Sequence, residues 1–213
     1  MTDVTTIEKY RADLEKGLEK LVSEVGEVQI GTPNQFPFGW RKAAKGRTVW
    51  RILEELINQN LETRHAEVGF SICEPSDSEV SVYDTRIRLS DSKKDLFLNI
   101  KSSVAGGRTN KDDLSKAVGL DAFFTEDNDR QLFIATFVLE FTDQMTVKIV
   151  DVVVLPIAWV PDIYVNPSNN GNLQSSKYKD VSGATKRTTA DFHRLLKAEM
   201  EIAAAKRRAK RSK

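Results

Sequence analysis

The segment Tyr83-Asp84-Thr85-Arg86-Ile87-Arg88-Leu89 is followed by the polar turn Asp91-Ser92-Lys93-Lys94 and then by Leu96-Phe97-Leu98-Asn99-Ile100-Lys101-Ser102-Ser103. Apolar and polar residues alternate on either side of the turn, which is the pattern of two half-buried strands joined as a hairpin. The spacing predicts strands over Glu79–Leu89 and Asp95–Ser102. Residues i and i+2 of a strand share a face, so Asn99 and Lys101 point together. Closure of the hairpin brings Asp84 to the same patch. The expectation is that aspartate, amide and ammonium converge on one cation-sized spot.

Upstream, Val49, Ile52, Leu53, Leu56 and Ile57 form an apolar stripe that predicts a helix over Thr48–Arg64. On that helix Glu54 flanks the stripe beside Trp50 and Leu61, while Glu55 points nearly opposite. Before it, Ile7, Tyr10, Leu14, Leu18, Leu21 and Val25 predict a helix over Thr5–Val25. The glycines and prolines of Gly26–Gly46 mark a connection, with Phe36-Pro37-Phe38-Gly39-Trp40 expected against the core. Val68–Cys73 reads as a short apolar strand.

Downstream, a polar loop over Val104–Asn110 leads to an expected helix over Lys111–Phe124. Gln131–Phe141 and Thr146–Leu155 are rich in Val, Ile and Phe and read as buried central strands. An Asn-rich loop over Asn166–Asn172 precedes a last helix over Thr188–Lys206. The order of elements predicts an α/β protein, a mixed central β-sheet flanked by helices, in a single domain over 1–213. The N-terminal helix within 1–25 is either a dimerisation element or a helix packed in its own subunit.

The chain has 213 residues, 40% of them hydrophobic, enough for one sizeable core. Lys+Arg number 32 and Asp+Glu 31, so the total charge neither favours nor excludes a polyanionic partner. Its distribution is uneven. The tail over 206–213 holds six basic residues and no acid, and Arg41, Lys42, Lys45, Arg47 and Arg51 form a second basic cluster. A solvated surface explains such runs as readily as a specific role. The single cysteine, Cys73, excludes an internal disulfide, and His65 and His193 stand in no zinc-binding pattern. No apolar run is long enough to span a bilayer and the N-terminus shows no signal-peptide pattern, so a soluble protein of a reducing, cytoplasmic compartment is expected.

An acid and a lysine on paired strands, with an amide two residues before the lysine, suit phosphodiester chemistry. Oxygen ligands hold Mg²⁺ with few protein contacts, leaving room for water and a phosphate oxygen. A nearby lysine can orient water or offset developing negative charge.

At these residues the sequence resembles the PD-(D/E)xK nuclease superfamily, and within it the type II restriction endonucleases. The resemblance covers roughly Arg47 to Phe124. It implies Mg²⁺-dependent hydrolysis of double-stranded DNA at a short site by a homodimer. It also implies Asp84, Asn99 and Glu54 as metal ligands, with Lys101 completing the catalytic set and Glu55 as the alternative helix acid. Two positions depart from the pattern. Asp84 follows tyrosine instead of proline, and Asn99 stands where a second acid is usual, so metal affinity is expected to fall. Either the chain is a variant that leans on Glu54, or Asn99 is an inactivating substitution, or the chain keeps only the scaffold.

The loop after the lysine offers groups that contact phosphates: Ser102, Ser103, Arg108, Thr109, Asn110 and Lys111. In the Asn-rich segment, Asn169, Asn170, Asn172, Gln174 and Lys177 are of the residue types that read base edges. Arg86 and Arg88 are open to phosphate contact or to ion pairs with core carboxylates. Two further readings are a repair or recombination nuclease of the same superfamily and a catalytically silent DNA-binding protein.

Overall fold

A computed structural model describes residues 2–41, 45–78, 80–107, 111–168 and 171–211, with the backbone alone at 45–48 and 211. The predicted hairpin is present. Strand β3 (Thr85–Leu89) pairs antiparallel with β4 (Asp95–Val104), with Thr85 opposite Leu98 and Arg88 opposite Asp95. The first strand is shorter than predicted. Residues 80–84 are irregular, because the chain turns there: Ser81 N–H donates to Ser78 O at 3.1 Å. Strand order resumes only where Asp84 N–H donates to Leu98 O at 2.8 Å.

The hairpin is part of a six-stranded mixed sheet of order β1-β7-β6-β4-β3-β2. Its other members are β1 (Glu27–Gln29), β2 (Phe70–Pro75), β6 (Gln131–Phe141) and β7 (Thr146–Pro156). β4 and β6 run parallel, and the remaining pairs are antiparallel. A parallel neighbour needs a crossover connection, and the chain between β4 and β6 supplies it. That crossover differs from the single helix expected over Lys111–Phe124. Residues Asp112–Lys116 form β5, followed by helix α3 (Ala117–Glu126). The Leu114, Ala117, Val118 and Phe124 spacing is helical, but β5 finds a distant partner in β9 (Asn172–Ser175), and together with β8 (Tyr164–Val165) they make a small second sheet. Tertiary pairing overrides local preference here.

Helix α1 (Val4–Val25) covers β7, with Ile7, Leu14, Leu18 and Leu21 no more than 1% exposed. Its apolar stripe is therefore occupied within its own subunit, which removes that stripe as a dimer surface. Helix α2 (Lys45–Arg64) buries Val49, Leu53, Ile57 and Leu61 against β4 and β2. Those residues recur every four positions, so the stripe is narrower than predicted, and Ile52 is 54% exposed. Phe38 is likewise solvated at 78%, although Trp40 packs edge-on to Phe141 at 4.9 Å and donates from Nε1 to Thr142 O at 2.9 Å. Helix α4 (Thr189–Arg211) packs on α3 and β8 and carries the described part of the basic tail as continuous helix. The architecture is mixed α/β, and no helix among the described residues is long and apolar enough to cross a membrane.

Candidate active site

Alternation along β4 separates its side chains: Leu96, Leu98 and Ile100 are buried in the core, while Phe97, Asn99 and Lys101 take the other face. Asp84 enters from the irregular segment before β3. Its carboxylate reaches across the hairpin and accepts a hydrogen bond from Ile100 N–H at 2.6 Å. The next residue, Thr85, is buried and donates from Oγ1 to Asn58 Oδ1 of α2 at 3.1 Å. Asn58 lies one helical turn after Glu54, so the contact that docks α2 on β3 also sets Glu54 on the side of Asp84.

The three charged groups act on one another. Burial, and then the charge of Asp84, push the Glu54 carboxyl up to about 7 from its ordinary 4.5, against the pull of Lys101. Burial also raises Asp84, opposed by the Ile100 N–H and by Lys101. Burial lowers Lys101, opposed first by Asp84 and Glu54 and then by Asp112 and Asp113 of β5. Two carboxylates in a partly desolvated place, acted on by Lys101 and, at Glu54, also by Arg51, form a site that can accept an added positive charge. Of the two helix acids, Glu54 is the half-buried one. Glu55 is exposed and accepts a hydrogen bond from Gln59 Nε2 at 2.7 Å.

Asn99 shares the strand face of Lys101, but its Nδ2 donates to Val82 O at 2.9 Å. Its Oδ1 is buried with no hydrogen-bond partner among the described residues, as is Asn172 Oδ1 on β9. An unpaired buried acceptor costs about 1–3 kcal/mol. Among the described residues no group of three or more His, Cys, Asp or Glu side chains is arranged to hold a metal ion. Burial pushes the Cys73 thiol up to about 12, away from the thiolate that would ligate a metal.

The residues expected to meet nucleic acid are distributed unevenly. Ser102 and Ser103 continue β4 beside Phe137 and Val138 of β6. Lys111 places its ammonium 4.2 Å from the Tyr164 ring centroid. Arg108, Thr109, Asn110, Asn169 and Asn170 lie outside the described residues. Gln174 is engaged internally, donating to Asp113 Oδ1 at 2.6 Å and accepting from Asn166 Nδ2 at 3.2 Å. Asn166 Oδ1 also accepts from Ser168 N–H at 2.8 Å, so part of the amide density builds the loop itself. Lys177 is exposed beside Lys179. Arg86 and Arg88 form ion pairs: Arg86 with Glu74 and, at 2.9 Å, with Asp95, and Arg88 with Asp95 at 2.6 Å.

Two groupings were not foreseen from sequence. Asp112 and Asp113 add negative charge beside Lys101, a proximity created by the long-range pairing of β5. Arg207 of α4 donates to Pro167 O at 3.1 Å, which ties the basic helix end to the Asn-rich loop. Comparison with protein-family models and with curated proteins finds no match for this chain.

Proposed function

We propose that the chain is a Mg²⁺-dependent endonuclease for double-stranded DNA, of the type II restriction endonuclease kind and on a PD-(D/E)xK-like core, acting as a homodimer. The observation that carries this reading is the hydrogen bond that ties Asp84, just before β3, to the Ile100 N–H next to Lys101 on β4, with Glu54 of α2 close enough to feel both charges. The donor set fits a hard cation. It offers only oxygen ligands, from two neighbouring carboxylates that burial raises. Mg²⁺ commonly takes one or two protein carboxylates and fills its remaining positions with water and substrate oxygens, so the absence of a larger acidic cluster among the described residues is compatible with it. Asp84 and Glu54 are the residues that would hold the ion. Asn99, expected as a third ligand, has its amide nitrogen tied to Val82 and contributes no charge.

When bound, the ion would supply Lewis acidity at the phosphate. The protein's own groups do the rest. Ile100 N–H holds the Asp84 carboxylate in place. Lys101, largely removed from water, directs its ammonium to a phosphate oxygen or to the attacking water. In hydrolysis a bond forms between water oxygen and phosphorus, one phosphate ester bond breaks, and the proton lost by water passes through solvent to the departing oxygen. The exposed Lys206, Arg207, Arg208 and Lys210 on α4 supply sequence-independent attraction to the phosphate backbone.

Incubation of the protein with unmodified phage DNA and Mg²⁺ tests the proposal. Discrete fragments are expected. Random nicking would point to a repair or recombination nuclease instead. DNA that is bound but stays intact would point to a silent binding protein, and Asn99→Asp then asks whether an added acid restores cleavage.

A further inference from the structure

Helix α4 has two apolar faces. Phe192, Leu196 and Ala203 are buried on the first. On the same side His193 Nε2 lies 2.7 Å from Asp121 Oδ1, and Arg207 donates to Pro167 O at 3.1 Å, which fixes the rotation of the helix. With about 3.6 residues per turn, the opposite side carries Leu195, Ala198, Ile202, Ala205 and Ala209, all of them exposed. Leu195 is 40% and Ile202 44% exposed. A helix docked on its own core usually turns polar residues to water on that side. Here the intervals alternate between three and four residues, the a/d repeat of a helix that packs along another helix.

The charges beside this second stripe select the partner. Glu199 and Lys206 lie along one edge, Glu201 and Arg208 along the other. On both edges the acid comes two turns before the base. When the helix is laid antiparallel on a copy of itself, Ile202 of one copy sits beside Ala205 of the other and Ala198 beside Ala209. That register brings Glu199 to Lys206 and Glu201 to Arg208, and twofold symmetry repeats each pair. Parallel pairing would set the basic residues after Ala205 side by side and align the two helix dipoles, and antiparallel pairing avoids both. The alanines let the two backbones approach closely. Helix α1 leaves this role open, since its stripe is covered within its own subunit.

We propose that α4 is a self-association surface, on which two copies of this chain pair antiparallel along the stripe centred on Ile202. The contact supplies the homodimer of the proposed function, yet it stands on α4 alone and needs nothing from the chemistry at Glu54, Asp84 and Lys101. Lys210 lies off the seam. Lys206 and Arg208 sit at its wet rim, where an exposed ion pair is weak and yields to phosphate.

Sedimentation velocity of the full chain, from about 1 to about 100 µM, is the test, because a contact between two helices of about four turns is small and belongs to the weak class. The wild type should form a dimer. Ile202→Asp buries two carboxylates in the seam and should raise the dissociation constant about tenfold or more. The side chain is solvated in the monomer, so circular dichroism and Tm should show an intact fold. Glu199→Lys should weaken the dimer, and adding Lys206→Glu should restore it, since both pairs are then reversed. A monomer at every concentration, a dimer indifferent to Ile202→Asp, or a double variant no better than Glu199→Lys would overturn the proposal. So would a monomeric wild type whose affinity for duplex DNA falls on Ile202→Asp, which would give the face to DNA. Cleavage of DNA by a monomer removes the contact alone. A dimer of this kind that cleaves no DNA removes the nuclease reading and leaves the contact standing.

Discussion

The Asp84 carboxylate accepts a 2.6 Å hydrogen bond from the backbone N–H of Ile100, the residue that precedes Lys101. One contact thus locks the aspartate that precedes β3 to the lysine-bearing strand β4. Asp84→Asn keeps an oxygen for that N–H and loses the charge, so the fold is expected to survive while Mg²⁺-dependent cleavage falls by about 10²-fold or more, on the order seen for loss of a key electrostatic group. Cleavage at the wild-type rate would take Asp84 out of the mechanism.

Lys101→Ala should abolish cleavage with DNA binding retained, because one buried ammonium adds little to a surface held by many phosphate contacts. Gel-shift and cleavage assays on the same preparation separate the two. Retained cleavage would remove Lys101 from the chemistry.

Glu54 links the site to stability. Its folded-state pKa is raised to about 7 from 4.5, so relative to the unfolded chain its contribution is intact below 4.5 and is lost as pH climbs through 7. For a half-buried group, after allowance for solvent screening, the loss is about 1–2 kcal/mol. Glu54→Gln should therefore raise Tm in metal-free buffer at about pH 8 and leave it nearly unchanged at about pH 4. Adding Mg²⁺ at the higher pH should raise Tm of the wild type more than that of the variant. A variant no more stable than wild type in mildly alkaline, metal-free buffer would show that Glu54 carries no such penalty.

The hairpin and the Glu54 side of α2 were legible in the sequence because both depend on short-range periodicity. Gln131–Phe141 was legible for the same reason, a continuous apolar run at the centre of the sheet. The segment 112–116 was not, since its strand state comes from pairing with β9, far along the chain. Residues 80–84 alternate like a strand, yet side-chain and backbone turns from Ser78 and Ser81 claim their N–H groups. The proximity of Asp113 and Asn172 to the site follows from that second sheet, and periodicity carries no signal for it.

Gly17 on α1 faces β2, where an added Cβ would stand 2.6 Å from Val68 O and 2.7 Å from the Phe70 ring. Replacing a helical glycine by alanine gains up to about 1 kcal/mol in helix propensity, whereas overpacking costs about 1–3 kcal/mol. The backbone carbonyl is not free to yield, so the clash prevails. Gly17→Ala should lower stability by about 1–2 kcal/mol in urea denaturation, and a stabilised variant would contradict the close α1–β2 contact.

The basic end of α4 bears on affinity and not on sequence preference. Lys206→Gln combined with Lys210→Gln should flatten the dependence of DNA binding on salt, by about 0.9 in log–log slope for each phosphate that is no longer neutralised. An unchanged slope would mean that neither side chain meets a phosphate.

Single-turnover cleavage of duplex DNA in Mg²⁺, wild type beside Asp84→Asn, addresses the Glu54–Asp84–Lys101 assignment most directly. The wild type should cut and the variant should bind without cutting. Intact DNA with both proteins, or equal cutting by both, would contradict it.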